Sequence, residues 1–106
     1  MTNALVVYET ADQVRKDIVA LRQQVEEILP SRLDADRFLR VIAKAVIESP
    51  KLMGCTRVSL LAAIHESAQL GLEPTGLLGS AYLVPYKRRV QVNGQWQSIM
   101  EAKLIP

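Results

Sequence analysis

Three consecutive basic residues, Lys87-Arg88-Arg89, are the feature of this sequence with the clearest chemical potential. No acidic residue occurs between Leu77 and Met100, so no near neighbour in the sequence neutralises them. A local excess of positive charge in a chain that is balanced elsewhere favours contact with a polyanion. The alternative is a solvated turn, or an edge strand whose charges prevent aggregation.

The composition limits the remaining possibilities. The chain has 106 residues, 49% of them hydrophobic, and a formal net charge of +2, which fits one globular domain with a modest core. One cysteine and one histidine exclude an internal disulfide framework and a Cys/His zinc site. The apolar runs are too short to span a membrane and no secretory leader is evident, so we expect no membrane partner.

No catalytic constellation is evident, and we expect that the protein is not an enzyme and uses no cofactor. The acidic pairs Asp34/Asp36 and Glu26/Glu27 are better explained as a helix cap and a solvated helix end than as acid–base or metal pairs. Cys55 has no identifiable base. The chain also lacks the glycine-rich phosphate loop that ATP-driven strand exchange would need.

Apolar residues with helical spacing predict a helical N-terminal half, after a flexible start at 1–9. The predicted helices are 10–29, 34–48 and 57–70, with a loop at 51–54. Thr10, Asp34 and Thr56 are the expected N-caps, and Gly71 is the expected left-handed residue after the last helix. The apolar stripe of helix 10–29 fits packing on its own core or pairing with another subunit.

The pattern then changes to that of strands, after turn residues between 73 and 80. Strands are predicted at 81–92 and 95–105, joined at Asn93-Gly94, a strong signal for a two-residue hairpin turn. The register that follows pairs Val92 with Gln95 and continues to Tyr82 and Ile105. In this register Lys87 and Arg89 share one face of the hairpin, and Arg88 lies on the other.

The predicted fold class is therefore α+β, with N-terminal helices followed by an antiparallel β-hairpin. A lone two-stranded sheet is marginal in water and has open edges. We therefore expect 10–106 to be an incomplete part of a larger domain, completed by further strands of the same protein or by another chain.

Several stretches resemble the RecT family of phage single-strand annealing recombinases. The principal one runs from Ala68 to Pro74, continues through Gly76 and Leu78-Gly79, and ends in the run 81–86, AYLVPY. Cys55-Thr56 before a leucine-rich helix and the EAKLIP run at 101–106 are also similar. The resemblance covers roughly 30–106 and implies the N-terminal portion of a RecT-like DNA-binding domain.

The resemblance implies binding of single-stranded DNA and annealing of complementary strands without nucleotide hydrolysis. It also implies homo-oligomeric rings or filaments, a 5′→3′ exonuclease partner and a cytoplasmic location in a bacterial host cell. The candidate phosphate contacts are Lys87, Arg88, Arg89 and Lys103. The candidate aromatic contacts with bases are Tyr82 and Tyr86, which could instead pack between sheet and helix. Trp96 could contact a base or a second protomer.

A different function is also compatible with the sequence. On this alternative, helix 10–29 and the open edge of the hairpin bind protein, and the chain is a truncated interaction or oligomerisation module without DNA activity of its own.

Overall fold

The computed structural model describes residues 5–72 and 82–105, which form five helices followed by a two-stranded antiparallel sheet. The elements are α1 (Ala11–Ala20), α2 (Arg22–Ile28), α3 (Ala35–Ile47), α4 (Pro50–Met53), α5 (Arg57–Leu70), β1 (Tyr82–Val92) and β2 (Gln95–Ile105). This order confirms the α+β class. The turn predicted between 73 and 80, and Ala81 at the start of the first predicted strand, lie outside the described residues.

A break at Leu21 divides the first predicted helix into α1 and α2. α1 begins at the predicted N-cap, Thr10, which forms a capping box: Thr10 and Gln13 each accept a hydrogen bond from the other's backbone N–H. At the break, the Leu21 N–H donates to the Ile18 carbonyl at 3.0 Å, which tightens the chain into an i→i−3 turn. A continuous helix over 10–29 is therefore wrong. α2 packs against both α3 and α5.

The core is organised around α3. Its Phe38, Ile42 and Val46 side chains are almost completely buried and lie four residues apart on one helical face. Asp34 caps this helix as predicted, accepting from the backbone N–H of Asp36 at 3.0 Å. None of the helices within the described ranges has the length and apolar character that a membrane crossing requires.

A short helix, α4, replaces the loop predicted at 51–54. Ser49 is its N-cap and accepts from the Leu52 backbone N–H at 3.3 Å. Pro50 takes the first helical position, where its missing N–H costs no hydrogen bond. Burial of Leu52 then fixes the turn against the core, so the prediction of a loop was wrong.

Residues 5–8 pack against the helices, so the expectation of a flexible start does not fit them. The Arg57 backbone N–H donates to the Val6 carbonyl at 2.8 Å, and the Arg57 guanidinium lies 4.7 Å from the centre of the Tyr8 ring. Tyr8 is buried and its hydroxyl donates to Asp17 at 2.7 Å. Burial, followed by this hydrogen bond, raises the pKa of Tyr8.

Helix α5 has the predicted termini. Thr56 accepts from the Ser59 backbone N–H at 3.3 Å, and Gly71 has φ = 67°. The Leu72 N–H donates to the Ser67 carbonyl at 3.1 Å, as in a Schellman motif.

The two strands pair along their whole length in the predicted register, from Val92–Gln95 to Tyr82–Ile105. Asn93 and Gly94 have φ values of 53° and 80°. Two consecutive positive φ values define a type I′ turn, whose twist matches that of the strands.

The base of the hairpin is attached to the helices through β2. The Met100 carbonyl accepts from the Thr56 N–H at 2.9 Å, and the Ala102 N–H donates to Ser59 Oγ at 3.0 Å. Ala102 and Leu104 are buried, and β2 packs against α5. These contacts cover the outer edge of β2 near its C-terminal end.

Pro85 occupies a position in β1 where it removes no hydrogen bond of the ladder. Its partner across the sheet is Ala102, whose N–H points away from β1 towards Ser59. Both members of such a non-hydrogen-bonded pair direct their backbone groups outwards. A proline is therefore tolerated on this edge strand.

Replacing Ser59 by alanine is expected to lower the free energy of unfolding by about 1–3 kcal/mol, because the N–H of buried Ala102 loses its acceptor. Urea denaturation would measure the loss. The matched control is Ser98→Ala, at an exposed position of β2, the strand that contains Ala102. This variant should have the same free energy of unfolding as the parent. Equal stability of all three proteins would contradict this anchoring role.

Candidate functional site

The distal part of the hairpin, residues 87–99, is an arm that extends beyond the packed base. None of its residues is buried. At about 3.4 Å per residue, the distance from Lys87 to the turn at Asn93 is roughly 20 Å. Because a two-stranded ribbon without support is marginal in water, the arm is a candidate surface for a binding partner.

The two faces of the hairpin have different chemistry. The basic face, as we name it, carries Lys87, Arg89, Gln91, Trp96 and Ser98. The opposite face, the tyrosine face, carries Tyr82, Tyr86, Arg88, Glu101 and Lys103. Of the six site residues predicted from the sequence, two therefore lie on the basic face and four on the tyrosine face.

On the basic face, two cations are available for an external anion. Lys87 and Arg89 are exposed, and no carboxylate in the part of the chain that the structure describes forms an ion pair with either. The Arg89 guanidinium lies over the Trp96 ring, 5.5 Å from its centre. The strand alternation brings this pair together, since Trp96 lies opposite Gln91, two residues along β1 from Arg89.

Arg88 is occupied by an internal partner. Its guanidinium donates to both carboxylate oxygens of Glu101, at 3.1 and 3.2 Å. Glu101 lies two residues along β2 from Ile99, the direct partner of Arg88, so the two side chains are diagonal neighbours on one face. The basic triplet thus does not act as one cluster, and the predicted register already contained the signal for this ion pair.

The tyrosine face combines two exposed rings with one cation. Tyr82 and Tyr86 are 46% and 44% exposed, so neither is packed between the sheet and the helices. The Lys103 ammonium lies 5.5 Å from the centre of the Tyr86 ring. This face therefore presents aromatic surface and one positive charge beside the Arg88–Glu101 pair.

Several acidic residues of the helical half take part in caps and ion pairs. Arg22 binds Asp36 and Glu26, with the shortest N–O distance of each pair at 2.6 Å. The hydrogen bond from Arg22, together with its charge, lowers the pKa of Asp36. Within the described ranges, no group of three or more His, Cys, Asp or Glu side chains could hold a metal ion.

Cys55 is not placed to act as a nucleophile. It is completely buried, and its thiol lies 3.5 Å from the Lys51 carbonyl. Burial, with a smaller effect from the negative charge of Glu101, raises the pKa of this thiol to about 11. The thiol is therefore protonated at neutral pH.

A groove of ≈ 430 Å³ between α1 and α3 was not identified from the sequence. Its apolar surface includes Ile18 and Leu39, and its charged residues, among them Arg15, Arg40 and Glu48, carry both signs. No residue of the hairpin lines this groove. It is therefore separate from the cations of the arm.

Comparisons with known proteins concern α3, α4, α5 and the hairpin. The model of the RecT family matches residues 36–104. Protein RecT from Escherichia coli (strain K12) is 33% identical over 76 residues, which cover 72% of this chain. The matched region is 28% of the length of that relative. No solved structure matches the chain.

Proposed function

This chain belongs to the RecT family, and on that premise we propose that it binds single-stranded DNA and anneals complementary strands without nucleotide hydrolysis. The observation that carries the proposal is the basic face of the arm. Its two exposed cations, Lys87 and Arg89, have no carboxylate partner among the described residues, and Arg89 lies over the exposed Trp96 ring.

An annealing protein must hold the DNA backbone while its bases remain free to test a complementary strand. Cations that contact phosphates provide such affinity without reading the sequence. Lys87 and Arg89 suit this role because their charges are available on one face. Lys103 can add a phosphate contact on the tyrosine face, where Tyr82 and Tyr86 offer surfaces for stacking.

We assign Arg88 a smaller contribution to DNA binding than Lys87 or Arg89. Its guanidinium is already held by both oxygens of Glu101. A phosphate would have to compete with that carboxylate, and the net charge of the pair is zero. Arg88 would then help to position the strand rather than set the salt dependence of binding.

The proposed partners follow from the family resemblance and from the shape of the arm. We propose that the protein works as a homo-oligomeric ring or filament, since an arm with so little internal support gains stability when bound. A 5′→3′ exonuclease would supply the single strands, in the cytoplasm of a bacterial host cell. We propose no catalytic role for the chain itself.

The alternative, a protein-interaction or oligomerisation module without DNA activity, is not favoured, because the family match includes the hairpin and its cations. A titration of a fluorescently labelled, mixed-sequence single strand at low and moderate salt separates the two functions. We expect saturable anisotropy and an affinity that falls linearly with salt on logarithmic axes. Absence of binding at every salt concentration would contradict the proposal and favour the alternative.

A further inference from the structure

The arm carries one large aromatic side chain whose surroundings are polar. Trp96 is 61% exposed near the turn. Its companions on the basic face are Lys87, Arg89, Gln91 and Ser98, all of them exposed. Tryptophan and arginine are enriched in the cores of protein–protein interfaces, but lysine and serine are depleted there, so Lys87 and Ser98 distinguish this face from a typical interface core.

Most of the indole surface remains exposed although Arg89 contacts it. The guanidinium lies over one face of the ring, 5.5 Å from its centre. No other aromatic or cationic side chain of the described residues stacks on Trp96. A largely exposed flat ring with a cation over one face has the form of a stacking surface for a nucleobase.

We propose that Trp96, backed by Arg89, stacks on an unpaired base of the bound single strand and thereby helps the protein to select single strands over duplexes. This inference rests on the proposed DNA binding and assigns it a specific contact. A base within a duplex has both faces covered by its neighbours, so stacking on Trp96 would require it to leave the helix. A base in a single strand is available at lower cost.

Trp96 is the only tryptophan in the chain, so its fluorescence reports directly on this contact. We expect quenching when an unlabelled single strand saturates the 106-residue protein, and much less quenching with a preformed duplex of equal length. Trp96→Ala is expected to weaken binding of a labelled single strand roughly 5- to 150-fold, the range that corresponds to loss of one stacking aromatic. Trp96→Phe should retain most of the affinity.

Gln97→Ala provides the matched control, because Gln97 is the adjacent residue on the opposite face of the arm and is also exposed. It should bind like the parent, and thermal unfolding should show all variants folded. The stacking contact would be overturned, with DNA binding intact, by two results together. The labelled single strand would bind without changing the tryptophan fluorescence, and Trp96→Ala would bind it with full affinity. Absence of any anisotropy change would overturn both proposals. Fluorescence that changes with protein concentration but not with DNA would assign Trp96 to a protomer contact and overturn the inference.

Discussion

Replacement of Gly71 by alanine is expected to lower the free energy of unfolding by roughly 2–4 kcal/mol. Gly71 has φ = 67°, in the left-handed region that L-residues adopt at a cost. An added Cβ would lie 2.8 Å from Pro30 Cγ and 3.2 Å from a guanidinium nitrogen of Arg32. Backbone strain and steric overlap therefore act together, and urea denaturation would measure their sum.

Two comparisons separate these contributions. Gly94 has φ = 80° but no atom within 4 Å of an added Cβ, so Gly94→Ala should show the strain without the overlap. In a Pro30→Ala background, which lacks the Cγ and Cδ atoms, Gly71→Ala should lose less stability than in the parent. If Gly71→Ala lowers the free energy of unfolding equally in both backgrounds, Pro30 makes no steric overlap with the added Cβ.

The double variant Lys87→Ala/Arg89→Ala is expected to reduce the salt dependence of single-strand binding. Each lost phosphate contact should lower the magnitude of the slope of log affinity against log salt by about 0.7, hence by about 1.4 for the pair. The measurement is anisotropy of labelled, mixed-sequence oligonucleotides at several salt concentrations. The loss of affinity should be the same for different sequences, since phosphates carry no sequence information.

Arg88→Ala is the matched control for this double variant. It removes a neighbouring cation whose charge is already balanced by Glu101, so its slope should remain close to that of the parent. If Lys87→Ala/Arg89→Ala keeps the parental slope of log affinity against log salt, neither side chain contacts the DNA backbone. A loss confined to some sequences would show that they read bases, and the basic face would then not supply sequence-independent affinity.

The hairpin could be predicted in detail because local rules determine it. The Asn93-Gly94 turn fixes the loop length, and a two-residue loop fixes every pair from Val92–Gln95 to Tyr82–Ile105. The same holds for the helix caps at Thr10 and Thr56, and for the left-handed Gly71, which depend on residues within a few positions.

Features that depend on distant packing could not be read from the chain. The helix after the break at Leu21 packs on α5, and residues 5–8 are hydrogen-bonded to Arg57, fifty positions along the chain. Periodicity records that a face is apolar but not which element covers it. Within the candidate site, by contrast, alternation separated Lys87 and Arg89 from Arg88, and the predicted register already placed Glu101 diagonal to Arg88.

The most direct test of the account is annealing itself, measured without nucleotide. Two complementary oligonucleotides carrying a donor and an acceptor dye are mixed with the chain, and energy transfer is followed over time. We predict faster annealing than the spontaneous rate, a smaller acceleration with Lys87→Ala/Arg89→Ala, and an acceleration much closer to the parental one with Arg88→Ala. If the folded chain leaves the spontaneous rate unchanged at every salt and protein concentration, the arm does not anneal DNA and the proposed function is wrong.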